Sequence, residues 1–191
     1  MLSREEAIKI FTDSGALMEG HFLLTSGRHS NQYMQCAQVL QYPAYTEKLA
    51  QDIAEKFAGD GIELVIGPAM GGIIVSYEVS RQLGVPGIFA ERKDGKMEIR
   101  RGFTIKPGQK VLVVEDVVTT GGSVREVMDA VREAGGKVAG VAVLVDRSNG
   151  QVDFGVKQAA VLTMDIQSWE SADCPLCAEG KSEAYKPGSR G

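Results

Sequence analysis

The chain has 191 residues, 43% of them hydrophobic and 24% charged, with a formal charge of -4 at neutral pH. That length bounds it to one domain with room for a small appendage, and allows a sizeable buried core. The acidic balance argues against general nucleic-acid affinity, although local cations can still hold a small anion. The first residues lack the basic-then-apolar pattern of a secretory signal, and no apolar run reaches the length of a membrane span. Three cysteines make no disulfide framework. The expectation is a cytoplasmic protein in a reducing compartment, with no nucleic-acid or membrane partner.

Ser3 followed by Glu6 has capping-box spacing, and Ala7, Ile8, Ile10 and Phe11 then share one helical face. Gly15 and Gly20 interrupt that period, and residues 22–36 read as short strands and loop. Pro43 opens a helix expected over 44–57. Residues 64–66 predict a short apolar strand ended by Gly67-Pro68, 72–83 a helix and 87–90 a strand. Another strand is expected at 111–114, a helix at 122–134 closed by Gly135-Gly136, and strands at 138–145 and 159–163. Short apolar runs alternating with helical patterns predict an α/β fold, a parallel sheet covered by helices on both faces. Residues 92–109 break the rhythm: they are highly charged, contain Gly95, Gly102 and Gly108, and show no core period. A long polar insertion of this kind is either a functional lid or a solvated hairpin, and composition alone leaves both open.

The most informative segment is the thirteen-residue string at 111–123, Val-Leu-Val-Val-Glu-Asp-Val-Val-Thr-Thr-Gly-Gly-Ser. An apolar strand delivers Glu115 and Asp116 at its C-terminal end, where ligands bind in open α/β sheets. The small residues that follow open a helix whose free backbone N–H groups let a phosphate approach, and Thr119, Thr120 and Ser123 add hydroxyl donors. Two carboxylates suit sugar hydroxyls, or a magnesium ion reached directly or through water, better than they suit the phosphate itself. No lysine follows the second glycine, so this is no Walker loop.

The whole string resembles the signature with which the type I phosphoribosyltransferases bind phosphoribosyl pyrophosphate (PRPP). The resemblance implies a central parallel sheet flanked by helices, a small N-terminal hood and a mobile lid loop. The single domain would span 1–191, with a hood from about 1–40 plus a C-terminal part, a core over about 44–165 and a lid over about 92–109. It also implies that Glu115 and Asp116 act catalytically on the ribose, and that Val117, Val118, Thr119, Thr120, Gly121, Gly122 and Ser123 bind PRPP.

Further stretches are similar to the orotate-specific branch of that family. They are residues 25–36 (Thr-Ser-Gly-Arg-His-Ser-Asn-Gln-Tyr-Met-Gln-Cys), Gly67-Pro68-Ala69-Met70-Gly71-Gly72, Arg92-Lys93-Asp94-Gly95-Lys96 and Val145-Asp146-Arg147. The similarity implies pyrophosphate contacts from Met70, Gly71, Arg92 and Lys93, and a catalytic Lys96 that stabilises the departing pyrophosphate. It implies orotate contacts from Arg147, Thr119 and Tyr33. No protein-held metal is implied, since Mg2+ would be bound mainly through PRPP. The implied partners are PRPP, orotate and a second copy of the chain, the lids being shared between subunits. The implied reaction is phosphoribosyl transfer to N1 of orotate, giving orotidine 5'-phosphate and pyrophosphate in pyrimidine (UMP) biosynthesis. A purine phosphoribosyltransferase and a non-catalytic PRPP-sensing regulator are the alternatives. Thr25, Glu98 and Met70-Gly71 depart from residues common in the branch, and Arg100 and Arg101 are candidates to restore the lost charge.

Cys174-Pro175-Leu176-Cys177 has the spacing of half a zinc knuckle, and Cys36, His21 or His29 could complete a set. Without a second such pair the plainer expectation is two thiols in a tail, with polar structural roles for the histidines and a packing role for Trp169.

Overall fold

Nine consecutive residues of one strand, Lys110–Val118, run through the middle of the main sheet and set its two faces. The computed structural model describes residues 1–24, 26–180 and 182–187, so Thr25 falls outside it. In chain order the elements are α1 (Arg4–Asp13), β1 (Leu17–Leu23), β2 (His29–Met34), α2 (Ala37–Leu40), α3 (Pro43–Phe57), β3 (Leu64–Pro68) and α4 (Gly71–Leu83). There follow β4 (Gly87–Lys93), β5 (Lys96–Ile99), β6 (Lys110–Val118), α5 (Gly122–Glu133), β7 (Lys137–Asp146), β8 (Lys157–Thr163), a 3-10 turn (Ser171–Asp173) and α6 (Pro175–Glu179).

The main sheet has the order β5-β4-β3-β6-β7-β8. Every neighbouring pair in it is parallel except β4 with β5. Alternate side chains of β6 face opposite layers, as the two-residue period of a strand requires. Leu112 and Val114 pack with Leu49, Ile53 and Phe57 of α3 and Val75 and Val79 of α4. Val111 and Val113 pack with Val124, Val127, Met128 and Val131 of α5. Burial on both faces is why these strands read as unbroken apolar runs.

The local signals act as expected. Glu6 N–H donates to Ser3 Oγ (3.2 Å) and Ser3 N–H to Glu6 Oε2 (2.8 Å), closing the capping box of α1. Pro43 occupies the first turn of α3. β6 runs beyond the apolar stretch because Val117 pairs with Val145 and Val118 with Asp146.

Residues 92–109 need a correction. The absence of a core period there is wrong: Met97 and Ile105 are buried in the α5-side core, with Ile99 and Phe103 packed against it. β4 continues to Lys93, turns at Asp94 (φ 52) and Gly95 (φ 84), and returns as β5. Two positive-φ residues between paired strands make the tight turn that follows strand twist.

β1 and β2 form a separate antiparallel ribbon, irregular between Glu19 and Phe22. The C-terminal segment is strapped to it by backbone bonds in both directions. His29 N–H donates to Trp169 O (2.8 Å), Trp169 N–H to His29 O (2.9 Å), Leu23 N–H to Tyr185 O (2.8 Å) and Tyr185 N–H to His21 O (2.9 Å). Arg28 adds a bond from Nε to Ser168 Oγ (2.9 Å) and a contact with Glu170. Among the described residues no helix is long and apolar enough to cross a membrane.

One buried charge ties three parts of the core layer together. Asp52 on α3, 2% exposed, accepts from Leu2 N–H (2.8 Å) and from Lys56 Nζ (2.5 Å), and Lys56 Nζ also donates to Ala160 O (2.9 Å). Removing the carboxylate takes an acceptor from two half-buried donors, Leu2 N–H and the Lys56 ammonium, the second keeping its bond to Ala160 O. Asp52→Ala should therefore lower the unfolding free energy by roughly 2 kcal/mol, with an unchanged denaturant slope in urea titrations.

Candidate active site

The sheet order reverses direction between β3 and β6: β4 lies to one side of β3, while β6, β7 and β8 extend to the other. In open α/β sheets the crevice beyond the strand ends at such a point is where ligands bind. Here it lies between the N-termini of α4 and α5. The crevice is narrow at its base. A Cβ on Gly71 would stand 2.4 Å from Asp116 Oδ2, so only glycine lets the β3–α4 turn lie against that carboxylate. The preceding Ala69–Met70 peptide is cis.

Glu115 is 8% exposed, and its Oε1 accepts from Asp116 N–H (3.0 Å). Asp116 Oδ1 accepts from Val117 N–H (2.8 Å). Burial, then the adjacent Asp116 charge, pushes Glu115 up to about 9, and burial raises Asp116 as well. The pair therefore keeps a proton at neutral pH in the unliganded chain.

Past Val118, the residues Thr119 and Thr120 are exposed and Gly121 caps α5 in the left-handed conformation (φ 78). A side chain at Gly121 would also meet Val152 and Phe154 at 2.9 Å. No side chain caps α5, so the N–H groups of its first turn are open to an anion. They border a pocket of about 80 Å³ lined by Glu115 and residues 117–124.

Arg147 enters from the end of β7, with its N–H on Val118 O (2.8 Å). Its Nε is buried without a hydrogen-bond partner, and burial pulls its pKa down. The ionisable groups beside it are Cys36 and Tyr33, from the ribbon side. Asp146 does not pair with it; it accepts from Ser148 N–H (2.8 Å), Ser148 Oγ (2.7 Å) and Gly150 N–H (3.0 Å), and so shapes the turn that presents the arginine.

The structure thus brings Tyr33, Gly71, Glu115, Asp116, residues 117–123 and Arg147 to one end of the sheet. Met70 is there too, but 82% exposed. Cys36 is a wall of this site that the sequence pattern did not mark. Its Sγ lies 3.6 Å from Asp116 O, and burial pushes the thiol well up, so it is no nucleophile.

Lys96 is not brought there within one chain, whereas Arg92 lies beside the first turns of α5 through Glu126. The β4–β5 hairpin leans along α5, with Arg92 paired to Glu126 (2.7 Å) and Lys96 to Glu133 (3.3 Å). Glu133 ends α5, about 16 Å along the helix from Gly122. Arg100 and Arg101 both pair with Glu91 (3.3 and 2.9 Å), and Arg100 also approaches Glu98 (3.9 Å), so their charge is matched locally.

The raised Glu115 pKa has a definite sign in stability. The folded chain binds the proton more tightly than the unfolded chain, so that contribution is complete below the ordinary carboxylate range and is lost as pH rises through about 9. Unfolding free energy of the ligand-free protein should fall across this window, and Glu115→Gln should flatten the fall. Equal slopes for the two proteins would refute the buried-proton assignment.

The model of the phosphoribosyl transferase domain family matches residues 37–172. The orotate phosphoribosyltransferase of Pelotomaculum thermopropionicum is 64% identical over 189 residues, covering 99% of each chain. That of Heliobacterium modesticaldum is 60% identical over 191 residues, covering 99% of this chain and 100% of its own. Among solved structures, orotate phosphoribosyltransferase from Aeropyrum pernix superposes with a TM-score of 0.65 at 28% identity, over 82% of this chain and 92% of that one. The fold is that of the type I phosphoribosyltransferases, and the chain belongs to the orotate phosphoribosyltransferase family.

Proposed function

We propose that this protein transfers the 5-phosphoribosyl group of PRPP to N1 of orotate, releasing orotidine 5'-phosphate and pyrophosphate on the route to UMP. The observation that carries the choice of orotate is the unpartnered, buried Nε of Arg147 next to Tyr33. A guanidinium held out of water seeks a carboxylate with two parallel acceptors, which orotate has and the purine bases lack. Thr119 and Tyr33 flank the pyrimidine in this reading. The ring nitrogen needs no strong protein base, and none is required of the site.

The 5-phosphate sits on the uncapped N-terminus of α5, with Thr119, Thr120 and Ser123 as hydroxyl donors and Gly121 and Gly122 allowing close approach. Glu115 and Asp116 accept from the ribose hydroxyls. Their negative charge lies where positive charge grows on the ribose as the glycosidic bond to pyrophosphate breaks. Met70 and Gly71 guide the pyrophosphate at the start of α4.

Magnesium fits this donor chemistry, because two adjacent carboxylates whose ionisation burial opposes are hard oxygen acceptors. Carried in mainly on PRPP oxygens, with Glu115 and Asp116 beyond them, it would neutralise charge on the leaving group.

Arg92, Lys93 and Lys96 complete the site of a second subunit rather than their own, and closing them over the pyrophosphate excludes water. The pairing of Lys96 with Glu133 at the far end of α5 supports this, as does an exposed apolar stripe on the α4 side: Met70, Ile74 and Tyr77 are 82%, 44% and 69% exposed. A count of three cysteines, which makes no disulfide framework, supports a reducing, cytoplasmic location.

Arg147→Ala should raise the orotate KM roughly 100-fold while PRPP binding stays near wild type, as expected for loss of a charge-assisted pair. An unchanged orotate KM would remove the basis for the base assignment. The shared lid is tested by mixing. Lys96→Ala and Glu115→Gln homodimers should each be nearly inactive, yet random re-pairing should restore about a quarter of wild-type sites. No recovery in verified mixed dimers would mean that each lid serves its own chain.

A further inference from the structure

We infer that His21, His29, Cys174 and Cys177 form a structural zinc site that clamps the C-terminal segment onto the β1–β2 ribbon. The inference is independent of the catalytic reading. These side chains come from opposite ends of the chain, yet one donor atom of each lies within 4.8 Å of all the others. His21 Nε2 is 2.9 Å from His29 Nδ1, Cys177 Sγ is 3.2 Å from His29 Nδ1, and Cys174 and Cys177 Sγ are 3.5 and 3.6 Å from His21 Nε2. Zinc bonds of about 2.0 Å to nitrogen and 2.3 Å to sulfur, set tetrahedrally, give donor separations of roughly 3.3 to 3.8 Å. Those four spacings need adjustments of only a few tenths of an ångström to hold one ion, and the remaining pairs, all within 4.8 Å, need to close by up to about 1 Å.

The surroundings support a ligand set rather than chance proximity. His21, His29 and Cys174 are buried, at 7%, 8% and 2% exposure, so three of the four donors are withdrawn from water. The other ring nitrogen of His21, Nδ1, lies 2.9 Å from Ser182 O. Donating to that carbonyl fixes the tautomer that points a lone pair from Nε2 into the cluster, as an outer partner does for a metal-bound histidine. Cys36 is excluded, since it sits at Asp116 O instead. Two thiolates and two imidazoles favour zinc over magnesium or calcium. Four protein ligands leave no open position, so the ion would be structural rather than catalytic.

The clamp lies where it can do mechanical work on the site. His29 is in β2, the strand that also carries Tyr33, and Cys174 and Cys177 flank the start of α6. Zinc would close a loop between residues 153 positions apart and hold the ribbon against the segment that wraps it.

The test uses the full-length chain without an affinity tag, purified under reducing conditions with no chelator. Elemental analysis should find about one zinc per chain. After removal with a chelator and a thiol-reactive displacer, then reduction, cobalt(II) should restore one equivalent with the visible ligand-field bands and thiolate charge transfer of a tetrahedral site. Cys177→Ser, at an exposed position, should fold but lose most of the zinc and melt at lower temperature. Any of three results would overturn the proposal: no zinc and no such cobalt spectrum in the reduced wild type, full zinc in both Cys177→Ser and Cys174→Ser, or a native Cys174–Cys177 disulfide.

Discussion

Placing two adjacent carboxylates at the buried end of an apolar strand is costly, and the crevice around β6 is organised by that cost. Among the described residues no cation pairs with Glu115 or Asp116; Glu115 accepts from Asp116 N–H, and Asp116 accepts from Val117 N–H. Burial therefore drives them to hold a proton until a ligand supplies hydroxyls and positive charge. The strand that presents them stays in register because Val117 and Val118 continue the ladder with β7. The same ladder brings Arg147 alongside, through its N–H on Val118 O. The carboxylates and the guanidinium thus reach the same end of the sheet without an ion pair between them.

Close approach is the second constraint. Gly71 leaves no room for a Cβ beside Asp116, and Gly121 leaves none beside Val152 and Phe154. Both glycines open helices aimed at the crevice, so it is backbone N–H groups rather than long side chains that face it. The long cations are elsewhere, held by Glu126 and Glu133 on the outside of α5. Those exposed pairs are worth little and are readily given up. A hairpin held by such pairs, as the proposed lid, would suit a reaction in which developing charge has to be shielded from water.

How much of this was legible in the sequence depended on the length of each signal. The thirteen residues from Val111 to Ser123 combine an apolar strand, paired acids and a small-residue turn, and that combination made the strand, the turn and the helix start beside the crevice legible. β5 was missed because four residues, Lys96–Ile99, are too short for alternation to stand out among charges. The adjacency of Asp146 and Arg147 suggested an ion pair as readily as a binding residue; only the turn built on Asp146 separates them. Cys36 was a candidate metal ligand in the sequence, and only its contact with Asp116 across the fold places it elsewhere. The four-residue metal-ligand cluster was the least legible, because its halves lie at opposite ends of the chain and spacing rules apply only within each half.

The base that the site accepts decides the function. The direct measurement is the fall in orotate absorbance when wild-type protein meets PRPP and magnesium, with adenine, hypoxanthine and uracil assayed beside it. Loss with orotate alone, dependent on PRPP, is the predicted result. Conversion of a purine in place of orotate would contradict the role given to Arg147, and PRPP binding with no turnover of any base would contradict the account as a whole.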